Sequence, residues 1–171
     1  MPLKSKRNNQ SGFTLIELMI TIVILAIIVT IGIPSFRNII VSNSVAFDRD
    51  EFFSLVTFAR SEAIKRGTGV TICKSANGTT CTDSLSWNQG WLAFHDVDGD
   101  GVKDSGDQPV RTLGALDAQV SMSHGGGANR ITFDSRGLLL RGQGLITFSH
   151  SAGSQFDRAV DIGVTGRASK G

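Results

Sequence analysis

The sequence predicts an α+β protein: one long N-terminal α-helix, hydrophobic through its first half, packed on a C-terminal domain of antiparallel β-sheet. Three observations carry that prediction. From Phe13 to Ile33 the only charge is one carboxylate, Glu17. Apolar residues then recur at helical spacing as far as Ala63. Beyond Gly69 the spacing falls toward two, in short runs bounded by turn residues.

The first element follows from length and apolarity. As a helix, Phe13 to Ile33 extends about 31 Å at roughly 1.5 Å per residue, which matches a bilayer core. Ahead of it Lys4, Lys6 and Arg7 stand in a stretch without acids, and the positive-inside bias places that end in the cytoplasm with the chain facing outward. Glu17 is costly in such a run. An unpaired carboxylate taken out of water loses several kcal/mol unless it stays at an interface, takes a proton or meets a positive partner.

Pro34 removes one helical hydrogen bond, so a kink is expected there and not a stop. From Phe36 to about Arg66 the pattern becomes one-sided. Val45, Phe52, Val56, Ala59 and Ala63 recur on one face, with Arg49, Arg60, Glu62 and Lys65 available for the solvent side. Gly67 and Gly69, after Lys65 and Arg66, end the helix.

Seven or eight strands follow, with candidates at 70–74, 90–95, 110–113, 119–123, 130–134, 138–141, 145–150 and 159–165. Their short connections imply antiparallel pairing in one sheet or two, because a parallel pair needs a crossover of about a dozen residues or more. One sheet face must cover the later half of the helix. Otherwise Phe52, Phe53, Val56 and Phe58 would form an exposed apolar patch.

Composition sets further bounds. A chain of 171 residues holds one membrane or filament helix and one modest domain. Setting aside Lys4, Lys6 and Arg7 leaves 14 basic residues against 15 acidic, so a globally basic nucleic-acid binder is not indicated. Cys73 and Cys81 are the only cysteines. Close in sequence, in a domain expected to face an oxidising compartment, they favour a disulfide, with a reduced pair as the alternative. Trp87 and Trp91 are expected to pack in the domain or at a subunit contact. No catalytic constellation stands out: His95, His124 and His150 lie in or beside different strands without metal-ligand spacing, and Gly125-Gly126-Gly127 reads as a turn.

The order of parts at the N-terminus is informative. A secretory signal places its small-residue cleavage site after the apolar core, whereas here the small residue precedes it. Ser11-Gly12-Phe13-Thr14-Leu15-Ile16-Glu17 resembles the cleavage and methylation signature of type IV pilins and type II secretion pseudopilins. That resemblance implies a type IV pilin-like fold. It implies cleavage by a prepilin peptidase between Gly12 and Phe13, N-methylation of Phe13, and a role for Glu17 in assembly by pairing with the terminal amine of a neighbouring subunit. The chain then divides into a leader (1–12), a transmembrane and filament-core helix (13–35), and an amphipathic helix with a globular β domain (36–171). A plain signal anchor is the alternative.

Later motifs narrow the resemblance. Ala59-Arg60-Ser61-Glu62-Ala63-Ile64-Lys65-Arg66-Gly67, Gly90-Trp91-Leu92-Ala93-Phe94, Ile131-Thr132-Phe133-Asp134-Ser135-Arg136-Gly137 and Gly166-Arg167 resemble the GspH/FimT group of minor pilins and H-type pseudopilins. This implies a low-abundance subunit in the inner membrane with its domain in the periplasm, later incorporated into a pilus or pseudopilus. The implied partners are other minor pilins, the major pilin, the prepilin peptidase, the inner-membrane assembly platform and inner-membrane lipid.

Two further stretches carry candidate chemistry. Asp96, Asp98, Asp100, Asp104 and Asp107 stand at positions one, three, five, nine and twelve of a calcium-loop pattern with Gly101 at six. The pattern departs at twelve, where Asp replaces Glu, and a solvated hairpin turn is the alternative. The tail Gly166-Arg167-Ala168-Ser169-Lys170 resembles the DNA-binding tail of some FimT proteins, with Ser169 where a second Arg would stand. Arg158, Arg167 and Lys170 are therefore candidate DNA contacts, against a solvated strand end. Apart from calcium, no cofactor is expected.

Overall fold

A computed structural model of the protein describes residues 12–171. Lys4, Lys6, Arg7 and Ser11, with the other residues before Gly12 that the expected leader comprises, lie outside the described residues. Helix α1 runs Leu15–Arg66 and continues through Pro34, which does not stop it. The chain divides into two compact units, one up to Ile40 and one from Val41 to Gly171.

In the first unit every described residue, from Gly12 to Ile40, is exposed. The helix begins at a polar cap, where Thr14 Oγ1 accepts the Glu17 N–H at 3.3 Å and the Thr14 carbonyl accepts the Leu18 N–H at 3.2 Å.

In the second unit α1 ends as expected at Gly67. Its φ of 67° is left-handed, and its N–H reaches the Ala63 carbonyl at 3.0 Å. Gly69 has a different task from the one the sequence suggested. It opens β1 (Gly69–Lys74), and a Cβ there would lie 2.7 Å from the Asp96 carbonyl, so a close backbone approach requires glycine.

The remaining strands are β2 (Trp91–Asp96), β3 (Pro109–Leu113), β4 (Val120–His124), β5 (Arg130–Phe133), β6 (Leu139–Arg141), β7 (Gly144–His150), β8 (Arg158–Ile162) and β9 (Ala168–Lys170). They form two sheets, in the orders β3-β2-β1-β5-β6 and β4-β7-β8-β9. Every neighbouring pair is antiparallel. The strand expected over 159–165 is in fact a hairpin. Gly166, at φ 74°, allows a turn closed by the Gly163 N–H on the Arg167 carbonyl at 3.0 Å, and the chain returns as β9.

Phe52 joins the two sheets. Its ring lies 5.0 Å from Trp91 of β2 and 5.9 Å from Phe148 of β7, centroid to centroid. Both tryptophans pack in the domain, and their indole N–H groups are satisfied by the Trp87 and Ala128 carbonyls. Phe52, Val56, Ala59 and Ala63 are buried completely. Phe53 and Phe58 are half-buried and topped by cations: Lys170 Nζ at 4.9 Å and the Arg111 guanidinium at 5.7 Å from the ring centroids. A second cluster, Cys73, Leu92 and Phe94, is packed against Cys81.

Candidate assembly site

The start of α1 presents chemistry that the described residues do not satisfy among themselves. Gly12 and Phe13 are exposed, and Glu17 stands in the first turn of α1. Among the described residues its carboxylate meets no hydrogen-bond or ion-pair partner. The sequence reading overlooked Thr14. Thr14-x-x-Glu17 has the form of a capping box, of which the Thr14 half is made. A helix N-terminus also favours a nearby anion, so Glu17 is compatible with the start of α1 before any partner arrives. The helix is long and apolar enough to cross a membrane, and its most apolar stretch is not buried.

Arg60 gathers three of the motif stretches. Its Nε donates to the Gly137 carbonyl at 3.0 Å and its Nη2 to the Thr165 carbonyl at 3.2 Å, tying α1 to the β5–β6 and β8–β9 turns. Gly137 and Gly166, both at positive φ, meet there: a Cβ on Gly137 would collide with Ile64, and one on Gly166 with the Gly137 carbonyl. These motif glycines are sites of close approach. Arg60 is thus bound to backbone, and not simply directed to solvent as its place on the helix suggested.

Glu62 corrects the solvent-face expectation more sharply. It is buried, bonded to Arg66, and 3.9 Å from Nε2 of the buried His95 on β2. The Arg66 hydrogen bond holds its carboxyl below the usual range, while burial and then the Arg66 charge push the His95 imidazole down. Periodicity places Glu62 on a helix face but says nothing of a strand covering that face.

The acidic loop divides the five candidate calcium ligands. Oxygens of Asp96, Asp98 and Asp100 come within 4.8 Å of one another, and Asp104 and Asp107 are not part of that group. Asp107 closes the loop on itself instead, accepting the Asp104 N–H at 2.9 Å and the Val97 N–H at 3.3 Å. Asp96 is buried and accepts from Thr71 Oγ1 at 2.7 Å and from the N–H groups of Gly99 and Gly101. Burial raises its carboxyl, against those hydrogen bonds. Calcium takes six to eight oxygens. The loop offers three converging carboxylates and does not bring the position-twelve side chain to them.

The basic tail is not assembled into one free patch. Lys170 Nζ pairs with Asp50 at 3.0 Å, and Arg158 Nη2 donates to Ser42 Oγ at 2.9 Å. Arg167 is exposed, but the ladder pairs Ile162 with Ala168 and Val160 with Lys170. Arg158 and Arg167 therefore lie at opposite ends of the hairpin, and the four positions of β8 alone put about 13 Å between them at roughly 3.3 Å per residue. Because the tail is a strand, its cations fall where pairing puts them. Cys73 and Cys81 form a disulfide, with Cα atoms 5.6 Å apart, that pins the segment after β1.

A helix exposed and apolar in its first part, with a glutamate in its first turn that has no partner among the described residues, continuing into a domain of two antiparallel sheets, defines a type IV pilin-like protein. Residues 48–166 match the family described as Type II transport protein GspH, and residues 7–33 match the prokaryotic N-terminal methylation motif. The chain belongs to this GspH/FimT family of minor pilins and pseudopilins. Its fold is similar to the type IV minor pilin FimU of Pseudomonas aeruginosa, with a TM-score of 0.59 at 19% identity over 75% of this chain and 89% of that one. It is also similar to the minor pseudopilin EpsH of the Vibrio cholerae type 2 secretion system, with a TM-score of 0.51 at 11% identity over 74% of this chain and 95% of that one. No curated protein sequence matches the chain.

Proposed function

We propose that this protein is a minor type IV pilin that takes part in pilus assembly within a tip-associated complex of minor pilins. One observation carries the reading: among the described residues the Glu17 carboxylate has no internal partner, and it stands in the first turn of a helix whose first part, as far as Ile40, is wholly exposed. Cleavage between Gly12 and Phe13 would create a cation, the Phe13 amine, within one turn of the corresponding glutamate on a neighbour. Opposite charges brought together in an apolar medium lower each other's desolvation cost when the geometry is good. The helix supplies filament-core packing, and the sheets present a surface to other subunits.

The test is direct. In cells with a prepilin peptidase, the mature protein should have the mass expected after loss of residues 1–12 and methylation of Phe13. Glu17→Ala should be processed yet enter filaments at least tenfold less than the native chain. Retention of the leader, or normal entry of the variant, overturns the reading. The H-type pseudopilin of a secretion system rests on the same features, and neighbouring genes for pilus or secretion components separate the two. Duplex DNA binding is less well supported by the pairing of Lys170 and the position of Arg158. Calcium is a second reading, favoured by the convergence of Asp96, Asp98 and Asp100. It predicts a chelator-reversible rise in melting midpoint at millimolar calcium, and no rise leaves the loop a self-braced turn.

A further inference from the structure

Asp48 lies on the domain side of α1, between the fully buried Val45 and Phe52. It is 8% exposed, and its Oδ2 is buried without a hydrogen-bond partner among the described residues. The charged groups that act on it are also acids: Asp117, from the segment between β3 and β4, and Glu51 on α1 itself. Burial first, then those two charges, push the Asp48 carboxyl up to about 6. Asp117 is fixed in place, because its Oδ1 accepts the Gln119 N–H at 2.8 Å and its carbonyl the Val120 N–H at 2.9 Å. Nearby cations are committed elsewhere. Arg49 and Lys170 both pair with Asp50, at 2.8 and 3.0 Å.

The orphaned Asp48 oxygen is thus desolvated within reach of two further negative charges, and among the described residues no cation pairs with it. An unpaired buried charge is costly, and at a pH above its raised value, where a proton no longer neutralises it, a positive partner relieves it. A single small ion is a poor fit, since among the described residues only Asp96, Asp98 and Asp100 stand close enough together to share one. A guanidinium is wider, planar and carries five N–H donors, so it can span carboxylates too far apart for one ion.

We infer that Asp48, Glu51 and Asp117 form an acidic socket for a basic side chain, an arginine above all, from a neighbouring subunit. This rests on the filament-subunit reading above. The test uses the full-length chain in cells that assemble the filament, with a photo-crosslinking residue in place of the exposed Ala118. The expected product joins position 118 to an Arg- or Lys-containing peptide of another subunit, and falls at least fivefold with Asp48→Asn. The same fall is expected with Glu51→Gln combined with Asp117→Asn, two changes at residues that are not buried. The melting midpoint of full-length Asp48→Asn in detergent should stay level or rise. Cross-linking that ignores both variants, a captured peptide without a basic residue, or a lowered midpoint for Asp48→Asn overturns the socket. If the native chain enters filaments but shows no Asp48-dependent product, only the socket fails. If the native chain never enters filaments, the subunit reading fails with it.

Discussion

His95 and Asp48 respond to acid in opposite directions, because burial disfavours the charged form of each. The imidazole of His95 is held below its ordinary value of 6.5, so the folded state resists a proton that the unfolded chain accepts. Its contribution to stability is full above 6.5 and is lost as pH falls through the lowered value. The carboxyl of Asp48, raised from 3.8 to about 6, works the other way: its contribution is full below 3.8 and is lost as pH rises to about 6. Asp48→Asn should therefore raise the melting midpoint at pH 7.5 by about 3 °C, the equivalent of about 1 kcal/mol at this chain length. It should also steepen the fall in midpoint between pH 7.5 and 5. His95→Gln should flatten that fall. Melting curves at several pH values check all three. None of this was visible in the sequence, which placed His95 in or beside a strand and did not single out Asp48, because periodicity does not show which polar side chains packing will bury.

At the level of elements, the Arg60 contacts and the disulfide hold the domain's loops. Arg60→Ala strips two carbonyls of their donor. At about 0.5–1.5 kcal/mol for each hydrogen bond, the midpoint should fall by about 3–8 °C. Gly166→Ala should cost more, since it combines a φ of 74° with a clash against the Gly137 carbonyl. Cys73→Ser opens a short loop and should lower stability by about 2.5 kcal/mol, read as a lower denaturation midpoint. The strands themselves were legible within a residue or two, because alternation and turn residues mark them locally. The last hairpin was not: Gly163, Val164, Thr165 and Gly166 read as the end of one strand, and only the pairing of Ala168 with Ile162 shows the reversal. Glu62 failed for a related reason, since its burial depends on His95, which is remote in sequence.

At the scale of the whole molecule, Phe52 makes the domain's sheets depend on one another. Phe52→Ala removes a fully buried ring that touches Trp91 and Phe148 and should cost about 3–5 kcal/mol. Hydrogen exchange should then show both sheets losing protection together, whereas loss confined to one sheet would mean that they are independent. The apolar first half of α1 and the β domain after it were plain in the sequence because they are written in composition and periodicity. Where neighbours touch was not, because partners leave no periodicity.

The bare surface of the first half of α1 has a practical corollary. Isoleucines and leucines from Leu15 to Ile40 are more than half uncovered in the isolated chain, and each gains about 1.5–3 kcal/mol on full burial. Set free in water, a solitary copy would behave as a surfactant, clumping or coating any interface. In the proposed role, passage from lipid into a fibre must then be a hand-over between two oily surroundings, without an aqueous stop between them.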